Sequence, residues 1–151
     1  MQVRIAAAVA LSFASSAGAQ MVQDLTTTTP ISGTWSYAST ADGSEARFAD
    51  AAGIAQLWVH CTHATRRVTI AKAATIAAPF LNIWTSSESR SVPSSFNAAT
   101  GRVTIDVGAY DPLLDGLANS RGRVGFTVAN QPPLVVAPGP EAAHVFEDCR
   151  A

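Results

Sequence analysis

An antiparallel β fold, a sandwich or a curled sheet carrying two short helices, is predicted by three observations. Apolar residues recur with period two over several short runs, turn residues separate those runs, and only two segments carry helical spacing. Strand–helix alternation long enough for a parallel sheet is missing, which leaves the mainly antiparallel class.

The opening residues are an address rather than part of this fold. Arg4 gives a basic start, Ile5 to Ala14 carries no charge, and Ala17-Gly18-Ala19 supplies a small-x-small pattern. Residues 1–19 therefore read as a secretory signal peptide cut between Ala19 and Gln20, its apolar run being too short to span a bilayer. The mature chain is expected to be periplasmic or secreted, with no transmembrane span. Residues 20–32 are polar, contain Thr26 to Thr29 before Pro30, and show no apolar period. They are expected to form a flexible lead-in. Residues 33–151 then make a single β-rich domain, long enough to bury a core of its own.

Within that domain Thr34 to Ser39 reads as a strand and Asp42-Gly43 as its closing turn. Ile54 to Cys61 sets Ala55, Leu57, Val59 and Cys61 on one face against Gln56, Trp58 and His60. Arg67 to Lys72 alternates Val68, Ile70 and Lys72 against Arg67, Thr69 and Ala71. The Ala-rich run from Ala71 to Ala78 fits strand or helix equally. Phe80 to Thr85 is a further β-rich run, followed by a Ser-rich loop and a turn at Asn97 to Gly101. Arg102 to Tyr110 places Val103, Ile105 and Val107 on one face. Asp111 is a good N-cap, Pro112 suits the first helical position, and Leu113, Leu114, Leu117 and Ala118 form a short apolar face. Val124, Phe126 and Val128 resume the alternation, and Leu134 to Val136 is a brief strand. After Gly139-Pro140, the residues Ala142, Val145, Phe146 and Cys149 fall at i, i+3, i+4 and i+7, one stripe of a helix.

Two cysteines, Cys61 and Cys149, are present. An even number in an exported chain reads as a disulfide. Cys61 on an inward strand face and Cys149 on a buried helical stripe would tie the last helix to the sheet. Loss of Arg4 with the signal leaves nine basic against eleven acidic residues. That balance offers no basic field for polyphosphate and argues against a nucleic-acid partner.

The sequence lacks a Gly-rich phosphate loop, paired CxxC, HExxH and GxSxG. Nothing in the spacing of His60, His63 or His144 singles out a serine for a Ser/His/Asp set, and no catalytic residue is assigned. Asp111 and Asp115 are four apart but are explained as a cap and a first-turn acid. His60-Cys61-Thr62-His63 holds ligand-type residues, yet a strand points His60 away from Cys61, so neither metal nor cofactor is expected. Trp58 and His60, on the face opposite Cys61, are the candidate binding face if no second sheet covers them. Arg121 and Arg123 are the second candidate, although charges at strand ends commonly keep edges soluble.

From about Leu57 to Arg150 the layout resembles small uncharacterised exported proteins of alphaproteobacteria. The segments that carry the likeness are Leu57-Trp-Val-His-Cys61, Asp111-Pro-Leu-Leu-Asp-Gly-Leu-Ala-Asn-Ser-Arg-Gly-Arg123 and Pro140-Glu-Ala-Ala-His-Val-Phe-Glu-Asp-Cys-Arg150. More distantly, the order of cysteine, strands, Leu-rich helix, strand and cysteine-bearing helix is similar to the VasI group of type VI secretion accessory proteins. The resemblance implies a cysteine-bridged β domain of the cell envelope and transfers no active-site residue. The resulting expectation is an exported, non-enzymatic domain that binds another envelope protein or cell-wall component. A small cell-wall hydrolase or a lysozyme-inhibitor-like protein is the alternative.

Overall fold

A two-residue turn, Ala41-Asp42, folds β1 (Gly33–Thr40) back on β2 (Gly43–Asp50), and the ladder closes at Thr40 opposite Gly43. Gly43 is required there, since a Cβ would come within 2.0 Å of the Cys61 carbonyl oxygen on the next strand. The computed structural model describes residues 23–151. The expected signal segment 1–19 and its expected cleavage point between Ala19 and Gln20 lie outside them. From β2 the sheet continues through β3 (Ala55–Thr62), β4 (Arg67–Ala73) and, out of chain order, β8 (Arg102–Gly108) and β7 (Ser95–Asn97). A second sheet runs β10 (Leu134–Val136), β9 (Val124–Thr127), β5 (Phe80–Trp84) and β6 (Ser89–Pro93). Every ladder in both sheets is antiparallel.

The period-two residues fall on the predicted faces. Leu57, Val59 and Cys61 of β3, Val68 and Ile70 of β4, and Val103, Ile105 and Val107 of β8 all enter one core with Leu81, Ile83 and Phe126 of the smaller sheet. Helix α1 (Pro112–Ala118) begins where Asp111 Oδ1 accepts the Leu113 N–H at 2.9 Å, and it buries Leu113, Leu114 and Leu117. Helix α2 (Pro140–Arg150) buries Ala142, Val145, Phe146 and Cys149, the stripe set by its sequence. It lies across β1, β2 and β3, where Ser44 and Ala46 leave room for it. Trp35 packs directly on Gly139 at its entry and donates from Nε1 to the Ala137 carbonyl at 2.9 Å. Among the described residues, no helix is long and apolar enough to cross a membrane.

Three strands were not legible as such. β2 and the pair β6 and β7, in the stretch expected to be a Ser-rich loop, are drawn into the sheets by pairing with their neighbours. The Ala-rich run is no helix: β4 ends at Ala73 and a loop follows.

The lead-in is the clearest correction. From Asp24 onward it is docked, not loose. Leu25 is fully buried against the backbone of Gly125, and the Ile31 N–H donates to the Val135 carbonyl at 2.8 Å. Arg123 Nη1 donates to the carbonyls of Thr26 and Thr28, the latter at 2.8 Å. One buried leucine and these three hydrogen bonds to the body of the domain offset the chain entropy that the polar composition left uncompensated.

Candidate functional site

The outer face of the large sheet carries Trp58 and His60, side by side as the alternation of β3 requires, but they do not form an exposed patch. Arg102, on β8, lays its guanidinium 3.6 Å from the Trp58 ring centroid, and the tryptophan is only 8% exposed. No second sheet is involved; a charged side chain from two strands away covers the indole. His60 Nε2 lies 3.1 Å from Asp42 Oδ2, and Nδ1 is 3.9 Å from Glu45 Oε2. The hydrogen bond with His60 is the largest influence holding Asp42 below the usual carboxylate range. This face is a mixed-charge surface whose members are paired with one another, as Arg67 with Asp106 at 2.9 Å also shows. The second candidate divides: Arg123 is engaged in holding the lead-in, while Arg121 is exposed.

At one end of the sheet Cys61 and Cys149 are bridged, with Cα atoms 5.5 Å apart. Around them gather Ser44, His63 and Asp148, an apparent Ser/His/Asp set. Its order is wrong for catalysis. His63 Nε2 meets Asp148 Oδ2 at 2.9 Å, while the Ser44 hydroxyl is buried beside Asp148 rather than beside the imidazole. That hydroxyl, followed by His63, keeps the Asp148 carboxyl below its ordinary range, yet it falls short of full hydrogen-bond geometry. A nucleophile needs the base next to it, and here the acid intervenes. His60 and His63 serve different carboxylates, and no group of three or more His, Cys, Asp or Glu able to hold a metal ion occurs among the described residues. Asp111 and Asp115 likewise have separate partners, Arg90 and Arg150.

The other end of the sandwich holds a different arrangement. There the start of β3, the end of β4, the tip of the β7–β8 hairpin and the loop after β9 enclose an open cleft of about 440 Å³. Lys72 takes the last inward-facing position of β4, level with Leu57 on β3 and Val103 on β8. It is 6% exposed and its Nζ donates to the Ala73 carbonyl at 3.0 Å. Among the described residues, no carboxylate forms an ion pair with it. Burial alone pushes its pKa down, because an ammonium removed from water without a counter-charge is disfavoured.

Gln131 faces the same cleft. Asn130, at φ 61°, turns the chain just before it, a left-handed conformation that asparagine tolerates better than most residues. Gln131 Oε1 accepts the Thr75 N–H at 3.3 Å, which determines the end of the amide that carries nitrogen. Nε2 is buried with no partner. Ile31, Pro132, Pro133 and Leu134 supply an apolar rim. The lining contains hydrogen-bond donors and one cation, but no Asp, Glu or His to exchange a proton with a substrate.

No family model, no curated protein and no solved structure matches this chain. The sequence alone placed Lys72 among Val68 and Ile70, an ammonium on an apolar strand face, and that was the available signal for this cleft. Gln131 lies in a loop without periodicity and gave none.

Proposed function

We propose that the chain is an exported domain of the cell envelope that works by binding another envelope component rather than by catalysis. The observation that carries this reading is the Cys61–Cys149 bridge, because a structural disulfide persists in oxidising compartments and is rare where thiols are kept reduced. It agrees with the signal-like residues 1–19 and with the expectation drawn from the exported alphaproteobacterial proteins and the VasI group. Binding is favoured over hydrolysis by the separation of the candidate acids and bases. Asp42, Asp111 and Asp148 sit with different partners in different places, whereas a hydrolytic site needs them to converge.

Fractionation of cells expressing the full chain tests the reading. The protein should be recovered outside the cytoplasm, starting at Gln20 by intact mass, with no titratable thiol before reduction. Cross-linking in intact envelopes should then yield a discrete adduct. A cytoplasmic pool retaining Met1 and two free thiols would end the proposal.

A further inference from the structure

We infer that the cleft between the ends of the two sheets is a binding site for a carboxylate carried on a small apolar group, held by Lys72 and Gln131. This rests on reading the chain as a binding domain, though not on its export. Four observations converge. Lys72 sits on the inward face of a strand, nine-tenths buried as a residue, in the position where every neighbour in register is aliphatic. Of its three N–H donors, one meets the Ala73 carbonyl and no carboxylate balances its charge. Gln131, which lines the same cleft, has its Nε2 buried with both donors unmet, and the Thr75 contact on the oxygen prevents the amide from turning to relieve it. The cleft is open and rimmed by Ile31, Pro132 and Pro133.

Each of these is costly for the protein on its own. A buried cation without a counter-ion and a buried amide without an acceptor both lower stability, and native structures rarely keep them without reason. A carboxylate answers both defects together. Its two oxygens offer about four acceptor sites, matching the donors left over on Lys72 and Gln131, and its single negative charge matches the single cation. A phosphate dianion would bring more charge than one lysine offsets. A neutral amide would satisfy the hydrogen bonds and leave the ammonium unbalanced. The rim then sets the remainder of the ligand, which is apolar and short.

The experiment is a titration of the folded, disulfide-intact chain followed by nuclear magnetic resonance. Butyrate is compared with butyramide, and N-acetyl-alanyl-alanine with its C-terminal amide. The acids should shift the Thr75 amide and the Gln131 side-chain signals, and the matched amides should not. Lys72→Met should weaken binding of the acid by about tenfold to a hundredfold, the range expected for losing a charged hydrogen-bonded contact. Gln131→Leu should weaken it less while leaving the spectrum of the core unchanged. Preference for butyrate points to a free small acid and preference for the dipeptide to a peptide terminus; either upholds the site. Equal shifts from acid and amide, or acid binding that survives Lys72→Met, would overturn it. Export and envelope capture are read separately, so loss of either leaves this result standing, and failure here leaves those untouched.

Discussion

Arg102 and Trp58 form one unit: the guanidinium lies 3.6 Å over the indole, across the β4 strand that separates their own strands. The contact turns what would be an exposed aromatic on a polar sheet face into a covered one. It also means that a residue suited to a contact surface serves the fold.

Trp58→Ala should therefore act on stability. Removal of a covered indole is expected to cost about 3 kcal/mol in urea denaturation. Arg102→Ala should cost about 1 kcal/mol, the value of a cation resting on an aromatic face. The two losses should be less than additive, because either change removes the shared contact. If Trp58→Ala melts like the parent chain, the indole is dispensable and the outer face must be reconsidered as a docking surface.

The bridge between Cys61 and Cys149 closes a separation of 88 residues. Chain-entropy reasoning gives about 4.6 kcal/mol for a loop of that length, less whatever strain the native state carries. The Cys61→Ser, Cys149→Ser double variant should lose about 2–5 kcal/mol. Helix α2 should stay docked through Val145 and Phe146, which remain buried against the sheet. Amide exchange should show the protection lost first in α2 and the β1–β2 hairpin, since the helix rests on those strands.

Leu25 fills the space that Gly125 leaves. A Cβ at position 125 would come within 2.1 Å of Leu25 Cδ1. Gly125→Ala should push the leucine out and release the segment from Asp24 to Ile31, seen as new cleavage in limited proteolysis. Leu25→Ala should give the same cleavage pattern and a loss of about 2–3 kcal/mol. Combining the two should add little beyond either alone. An unchanged cleavage pattern in both variants would show that Arg123 holds the lead-in without help.

Several carboxylates stand below their ordinary value near 3.8: Asp42 through His60, Asp50 through Gln56, and Asp148 through Ser44 and then His63. A carboxyl depressed in the folded state contributes stability that is fully present above its unfolded pKa. That contribution is lost as pH falls through the folded pKa. The carboxylate contribution should thus be level above about pH 5 and decline as pH falls below about 4. Asp148→Asn should flatten part of that decline. A decline of the same steepness in Asp148→Asn would assign the acid sensitivity to the other carboxylates.

Much of this architecture was written in local pattern. Period two on β3, β4 and β8 gave the buried faces, and the spacing of Ala142, Val145, Phe146 and Cys149 gave both the helix and its bridge. Strand β2 escaped because Gly43 to Asp50 mixes small and charged residues, and its pairing with β1 and β3 supplies what propensity does not. The cover on Trp58 and the seat of Leu25 depend on residues far away in sequence, Arg102 and Gly125, which no local window brings together. The cleft was half legible. Lys72 on an apolar face is a conflict between local chemistry and fold, the kind that marks sites retained for another purpose.

That conflict has a stability consequence. An ammonium whose folded pKa is depressed penalises the native state wherever it is protonated in both states. The penalty is fully present below the folded pKa and disappears as pH rises through it toward the unfolded value of 10.5. Lys72→Met keeps an unbranched apolar stem, one atom shorter, while removing the charge. It should raise stability at pH 7 by about 1 kcal/mol or more, since an unbalanced buried charge is exchanged for an aliphatic contact with Leu57 and Val103. The gain should shrink as the parent chain is titrated toward pH 10.5 and loses the same penalty. Urea denaturation of both chains across that range measures the difference directly. A Lys72→Met variant less stable than the parent at pH 7 would mean that the Ala73 contact outweighs the burial cost. The lysine would then belong to the fold. A more stable variant that no longer takes up butyrate would show a side chain kept at the expense of stability for the ligand it holds.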